Sequence, residues 1–395
     1  MVSDEDFRAE IRAFIAAELP RDMAKRTLMG YHPHKPDVEF WTARLHARGW
    51  SAVNWPKEYG GTGWSIRQRH IFEEECFLAG CPAVNPQAFH LVGPIIYTIG
   101  TSEQKRRFLP PIRCGDHFWA QGFSEPNAGS DLASLTTRAI RDGDRYIVNG
   151  QKIWTSEAHY CDWVFLLVRT STEGRAQAGI SFLLVDLTSP GITIRPIAGI
   201  EGAHILNEVY FEDVSVPAEN LIGEENQGWT YAKQLLGMER TFSAEVPRCK
   251  AMLSRCKAVS SQVQRRGRAL IEDGHFARRL AQLEIEILAH VATLRRVVAE
   301  EEAGVNASSP TPSILKVKGT ELSQRAGALL VEALGDDALP QYLERDYLLG
   351  SPEDPPGDPI AYGVMSDFLY RRSMTIYGGS NEVQRNIIAA QLLRG

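Results

Sequence analysis

The sequence predicts a multi-domain α+β chain: a helical domain over residues 1–119, a β-domain over 120–226 and a second helical domain over 227–395. Three observations carry this. Apolar residues recur at helical spacing in the first third. Between 120 and 226, short runs dense in β-branched and aromatic residues alternate with Gly, Pro and Asn punctuation. From Gly228 the helical period returns. At 395 residues the chain is long enough to bury two or three separate cores.

Residues 4–19 place Phe7, Ile11, Phe14, Ile15 and Leu19 on one face, as an amphipathic helix does. A connector from Tyr31 to Asp37 leads to a second helix, Val38 to Arg48. Gly61-x-Gly63 has no strand before it and Ile at position 66, so it reads as a loop and not a dinucleotide fingerprint. Helical patterns follow over 66–80, 87–99 and 102–113. In the β-domain, Arg145–Val148 and Lys152–Trp154 read as two strands joined by the hairpin signal Asn149-Gly150. Trp163–Arg169 and Ile180–Leu187 form a pair across a polar loop, and Ile192–Ile197 and Glu208–Phe211 are short strands. Beyond Gly228, Leu280, Leu283, Ile287, Val291, Leu294 and Val298 stripe one long helix, and a further helix spans about Ser313–Leu334. The charged runs Arg265-Arg-x-Arg and Arg278-Arg279 are expected to be solvated faces. Residues 335–361, with Pro352, Pro355, Pro356 and Pro359 among them, are a long irregular loop; a helix from Met365 to about Ile376 and a terminal helix close the chain.

Composition narrows the function classes. Hydrophobic content of 44% and charged content of 23% are those of a soluble globular protein. A net charge of −6 argues against a general nucleic-acid binder. No basic, apolar leader opens the chain and no run of 18 apolar residues occurs, so the expected location is cytoplasmic. Six cysteines without a Cys-x-x-Cys pair, and ten scattered histidines, predict neither a disulfide framework nor a metal site.

Two polar stretches stand out in the β-domain. Gln121-Gly-Phe-Ser-Glu-Pro-Asn-Ala-Gly-Ser-Asp131 and Asn149-Gly-Gln-Lys-Ile-Trp-Thr-Ser156 offer backbone N–H groups, hydroxyls and one indole, which suits a flat heteroaromatic ligand. Together with Tyr377-Gly-Gly-Ser-Asn-Glu-Val-Gln-Arg-Asn-Ile-Ile388, and with Trp55-Pro-Lys-Glu-Tyr-Gly-Gly61 in the first helical domain, they closely resemble the acyl-CoA dehydrogenase family, in family order over essentially the whole chain. The resemblance implies an N-terminal helical domain, a middle β-barrel-like domain and a C-terminal four-helix bundle.

It also implies a chemistry. The family oxidises the Cα–Cβ bond of an acyl-CoA thioester to the trans-2-enoyl-CoA; a carboxylate takes the α-proton and the N5 of FAD takes the β-hydrogen as hydride. In many members the base directly follows the Tyr of the C-terminal turn. Here that position is Gly378, which leaves only a backbone N–H to donate to the thioester oxygen. A minority carries the base on the helix that opens the C-terminal domain, directly before an Arg. Glu239-Arg240 in Leu235-Leu-Gly-Met-Glu-Arg240 resembles that arrangement, with Arg240 and Ser130 on the substrate side. By resemblance Phe123, Ser124, Ser130, Trp154, Thr155 and Ser156 bind FAD, with Ser156 at the N5 edge and Ser380 and Glu382 toward the adenosine.

Two departures concern the part of the FAD site that family members donate across a subunit interface. Val263 stands where an Arg is usual, and Leu334-Gly-Asp-Asp337 replaces a Gly-Gly turn. The chain is therefore expected either as a homotetramer or as one subunit of an α2β2 heterotetramer, of the type that handles pimeloyl or steroid side-chain acyl-CoAs. An electron-transfer flavoprotein is the implied acceptor. A non-catalytic partner subunit, and a flavin oxidase or monooxygenase on the same fold, are the alternatives.

Overall fold

The computed structural model describes residues 3–30, 32–238, 244–304, 310–340 and 358–393, with backbone alone for 236–238. The first helix, α1 (Asp4–Glu18), starts at Ser3, whose hydroxyl accepts from the Asp6 N–H, and it buries Phe7, Ile11 and Ile15. An unexpected short helix, α2 (Arg21–Leu28), precedes α3 (Lys35–Arg48). α4 (Ile66–Ala79) begins at a Ser65/Gln68 capping box. The helical pattern of 87–99 splits into a π-helical turn, Gln87–Val92, and α5 (Gly93–Ile99). A Cβ at Gly93 would stand 2.3 Å from the Trp55 ring, so this glycine is required by packing. α6 (Ser102–Cys114) completes the group.

The sheet departs from expectation at four places. β1 (Trp119–Gly122) and β2 (Arg138–Asp142) are additional strands. β3 (Arg145–Lys152) runs straight through Asn149-Gly150, so the expected hairpin there is wrong. The turn lies earlier, at Gly143-Asp144, where Asp142 pairs with Arg145. Asn149 instead exchanges two 3.0 Å hydrogen bonds with Asp213, and the register with the next strand shifts between Val148 and Gly150. Gly150 lies against Thr137, with no room for a Cβ. A bulge has taken the dipeptide that looked like a turn. The remaining strands are β4 (Trp163–Arg169), β5 (Ile180–Asp186), β6 (Ile192–Ala198) and β7 (His204–Pro217), the last far longer than Glu208–Phe211.

β4 is the spine of the sheet. β5 pairs along one edge; β1 and then β2 occupy successive parts of the other, and β3, β7 and β6 follow outward. β4 and β5 are buried along almost their full length. Phe165, Leu167, Phe182 and Leu184 face a core shared with Trp55, Phe89, Ile95 and Trp119. Val164, Leu166, Leu183 and Val185 face the opposite core with Tyr146, Val148 and Val209.

α7 (Gly228–Met238) leaves the sheet with Leu235 fully buried. α8 (Val246–Gln262), α9 (Gly274–Glu302) and α10 (Thr311–Leu334) pack through Cys249, Cys256, Leu280, Ile287, Leu322 and Leu330. Arg265–Arg268 is solvated as expected, on a tight hairpin: β8 (Gln264–Arg265) and β9 (Arg268–Ala269) flank Arg266 and Gly267 at φ 53° and 75°. Of the expected long loop, residues 341–357 lie outside the described residues, while 335–338 and 359–361 are 3-10 turns. The helix expected from Met365 to Ile376 is α11 (Val364–Tyr370) followed by a 3-10 turn, and α12 (Asn381–Leu392) ends the chain.

Candidate active site

The two polar stretches of the sequence lie side by side. The Ile153 N–H donates to the Ser124 carbonyl at 2.9 Å. Beneath them runs a buried ion pair: Lys152 Nζ reaches Glu125 Oε1 at 2.8 Å and the Phe123 carbonyl at 3.1 Å. Glu125 also accepts from the N–H groups of Thr136 at 2.6 Å and Thr137 at 2.9 Å. Burial alone would raise the Glu125 pKa, but the Lys152 charge and these donors outweigh it and hold the carboxyl at about 2. Burial draws Lys152 down to about 8 against the pull of Glu125, so both groups are ionised at neutral pH. Neither residue was assigned a role from the sequence. A lysine two positions before the Trp and a glutamate directly after Ser124 were the available signal.

The segment Trp154-Thr155-Ser156-Glu157 is held in an unusual shape. Trp154 and Glu157 both adopt left-handed backbone, at φ 60° and 62°. For residues other than glycine this costs roughly 1–2 kcal/mol each. The Trp154 side chain is 56% exposed, whereas Thr155 is fully buried and its Oγ1 has no hydrogen-bond partner among the described residues. An orphaned buried hydroxyl and a presented indole, on a strained backbone, fit a ligand laid against this segment. Ser156 is half-buried beside them.

The other expected site residues divide. Ser124 is half-buried and Ser130 exposed on the first loop. The Phe123 ring is turned into the core, with its centroid 5.6 Å from that of Phe165, so backbone is what it offers a ligand. Ser380 is the N-cap of α12, its hydroxyl accepting from the Val383 N–H at 3.3 Å, and Glu382 is exposed in that helix's first turn. Gly378 has φ 65°, and a Cβ built on it would meet nothing within 4 Å among the described residues. Its turn is anchored by Asn381, whose amide oxygen accepts from buried Lys316 at 2.9 Å. Glu239 and Arg240 lie outside the described residues; α7 carries the chain to their threshold. The Trp154 segment approaches the C-terminal helices through His32, whose Nε2 is 2.7 Å from Glu157 and whose ring centroid is 6.1 Å from that of Tyr370.

Domain profiles match the chain throughout: acyl-CoA dehydrogenase N-terminal domain over residues 3–116, middle domain over 120–214 and C-terminal domain over 226–393. The chain belongs to the acyl-CoA dehydrogenase family. It is 35% identical to acyl-CoA dehydrogenase IpdE1 of Mycobacterium tuberculosis, covering 98% of this chain and 97% of that one. It is also 35% identical to acyl-CoA dehydrogenase FadE29 of the same organism, over 98% and 95% of the two chains. Its fold matches the ChsE4–ChsE5 complex of Mycobacterium tuberculosis with a TM-score of 0.85 at 34% identity, covering 99% and 97% of the chains. The Tcur3481–Tcur3483 steroid acyl-CoA dehydrogenase gives 0.85 at 30% identity, with the same coverage. As an acyl-CoA dehydrogenase the chain is an oxidoreductase of the flavoprotein class, with FAD as cofactor. Among the described residues no helix is long and apolar enough to cross a membrane.

Proposed function

We propose that this acyl-CoA dehydrogenase introduces a trans double bond between Cα and Cβ of an acyl-CoA thioester, with Glu239 as the base that takes the α-proton. The observation that carries this is the Tyr377-Gly378 turn. The position that bears the base in many members is a glycine here, which has no side chain to accept a proton, so the proton acceptor comes from elsewhere. Leu235, four positions before Glu239 in the sequence, is fully buried, and the residues between them are Leu236, Gly237 and Met238, the apolar company that suits a carboxylate base. The Gly378 N–H donates to the thioester oxygen as negative charge develops on it. FAD, when bound, accepts the β-hydrogen as hydride; Ser124, Ser130, Trp154, Thr155 and Ser156 would hold it, with Phe123 contributing backbone and Ser380 and Glu382 near its adenosine end. Ser130 and Arg240 contact the substrate. An electron-transfer flavoprotein would be the partner that takes up the electrons.

The structure described as ChsE4–ChsE5 and that described as Tcur3481–Tcur3483 each pair two polypeptides, the second described as a steroid acyl-CoA dehydrogenase. We propose the same for this chain: an α2β2 assembly with a paralogue, acting on a bulky steroid-derived acyl group. Val263, at the expected Arg position, is partly buried against the C-terminal core. Asp336 and Asp337 are exposed on the turn that would face a pyrophosphate, where their charge is unfavourable. A partner subunit would supply the missing Arg.

Proton abstraction is tested in heavy water. With acyl-CoA and no electron acceptor, the purified enzyme should place deuterium at Cα. Glu239→Gln should slow this by about 10²–10⁴-fold. Undiminished exchange in the variant would remove Glu239 from the mechanism.

A further inference from the structure

The strained Trp154–Glu157 segment is gripped from outside by one amide. Asn207, on β7, is fully buried. Its backbone carbonyl accepts from the Thr155 N–H at 3.0 Å, and its side-chain Nδ2 donates to the Thr155 carbonyl at 3.0 Å. Both polar groups of the Thr155 peptide unit pair are thereby satisfied by one residue. Glu157 completes the hold: its N–H donates to the Ile205 carbonyl at 2.7 Å, and its carboxylate is fastened by His32 and by Asn85 at 3.2 Å.

The orientation of the Asn207 amide is forced. Nδ2 faces two carbonyls, those of Thr155 and of Ile205 at 3.3 Å, and neither can donate. The amide oxygen therefore faces His204, whose Nε2 at 2.7 Å must carry a proton. On the Nδ2 side, His159 Nδ1 at 3.3 Å must present its lone pair. The two imidazoles stack at 3.9 Å between centroids. Burial, reinforced by His204, brings the His159 pKa down to about 4, in keeping with the neutral tautomer this arrangement requires.

We infer that Asn207 is a positioning residue for the flavin: by fixing both ends of Thr155 it sets the Trp154–Ser156 backbone in the shape that meets the cofactor, with His204 holding the Asn207 amide in register. The inference rests on the reading that Thr155 and Ser156 contact FAD. It explains why a left-handed backbone at two non-glycine residues persists, and why the Thr155 hydroxyl has no partner among the described residues while both backbone groups of Thr155 are taken.

The test compares FAD affinity and the visible flavin spectrum of the purified holoenzyme in three variants. Asn207→Asp keeps the shape but turns a donor into an acceptor facing two carbonyls. It should weaken FAD binding about tenfold or more, the equivalent of one lost hydrogen bond to a buried acceptor, and should shift the flavin band. His204→Phe removes the hydrogen-bond partner of the Asn207 amide oxygen from an exposed position while keeping a ring beside His159, and should shift the band in the same direction. Ser156→Ala probes the underlying reading. If Ser156→Ala alters the flavin while both other variants match the wild type, the inference on Asn207 is overturned and the reading stands. If Ser156→Ala also matches the wild type, reading and inference both fall. Should Asn207→Asp not fold, His204→Phe decides alone: a shifted band supports the inference, and a wild-type band overturns it.

Discussion

Lys152 is wholly buried, and its ammonium joins the two loops of the candidate site through Glu125 and the Phe123 carbonyl. Removing it leaves a carboxylate stranded in low dielectric. Lys152→Met should therefore lower stability by about 3–5 kcal/mol in denaturant unfolding, and replacing Glu125 by Leu as well should recover much of that loss. A loss below about 1 kcal/mol would mean the pair is incidental. The pH dependence has a definite sign. Glu125 titrates at about 2 in the folded chain, well below its ordinary 4.5. Its contribution is complete above the unfolded value and is lost as pH falls from about 4.5 toward 2. Glu125→Gln should flatten that part of the acid unfolding curve; an unchanged slope would contradict the assignment. At this scale the sequence was least legible. Long motifs point to the hydroxyls and the Trp as candidates, whereas nothing in the sequence singles out Glu125, Lys152 and Asn207. Their roles depend on partners 27 and 52 positions away, which no local pattern encodes.

Among the elements, those with a strong helical period were legible, because a buried face imposes spacing that the sequence must keep. The long stripe of α9 is one such case: Leu280, Leu283, Ile287 and Leu294 are all buried. Tight turns were less so. Asn149-Gly150 carries the best short hairpin signal in the chain, yet the reciprocal Asn149–Asp213 bonds and the close approach of Thr137 make it a bulge. Two glycines separate the contributions of conformation and space. Gly143→Ala meets nothing within 4 Å and should cost only the left-handed penalty, about 1 kcal/mol. Gly150→Ala would bring a Cβ to 2.6 Å from the Thr137 Cα as well and should cost about 1–3 kcal/mol more, measured by thermal unfolding. Equal losses would mean the bulge has slack that the contacts do not show.

For the molecule as a whole, family and helix–strand–helix order were legible because three long motifs fall in sequence and the helical and strand periods change between them. Assembly is harder to read, since the FAD contacts in question would come from another chain. The exposed acids Asp336 and Asp337 lead to a specific expectation. Expressed alone, the chain should bind well under one FAD per polypeptide; expressed with its paralogue it should be yellow and loaded. Full loading of the chain by itself would establish a homo-oligomer. The central claim, that Glu239 takes the α-proton, is tested most directly by mixing the loaded enzyme with acyl-CoA in the absence of oxygen and following the visible flavin band. The wild type should bleach rapidly. Glu239→Gln, with FAD still bound, should bleach about 10²–10⁴-fold more slowly. Bleaching at the wild-type rate would show that another group is the base.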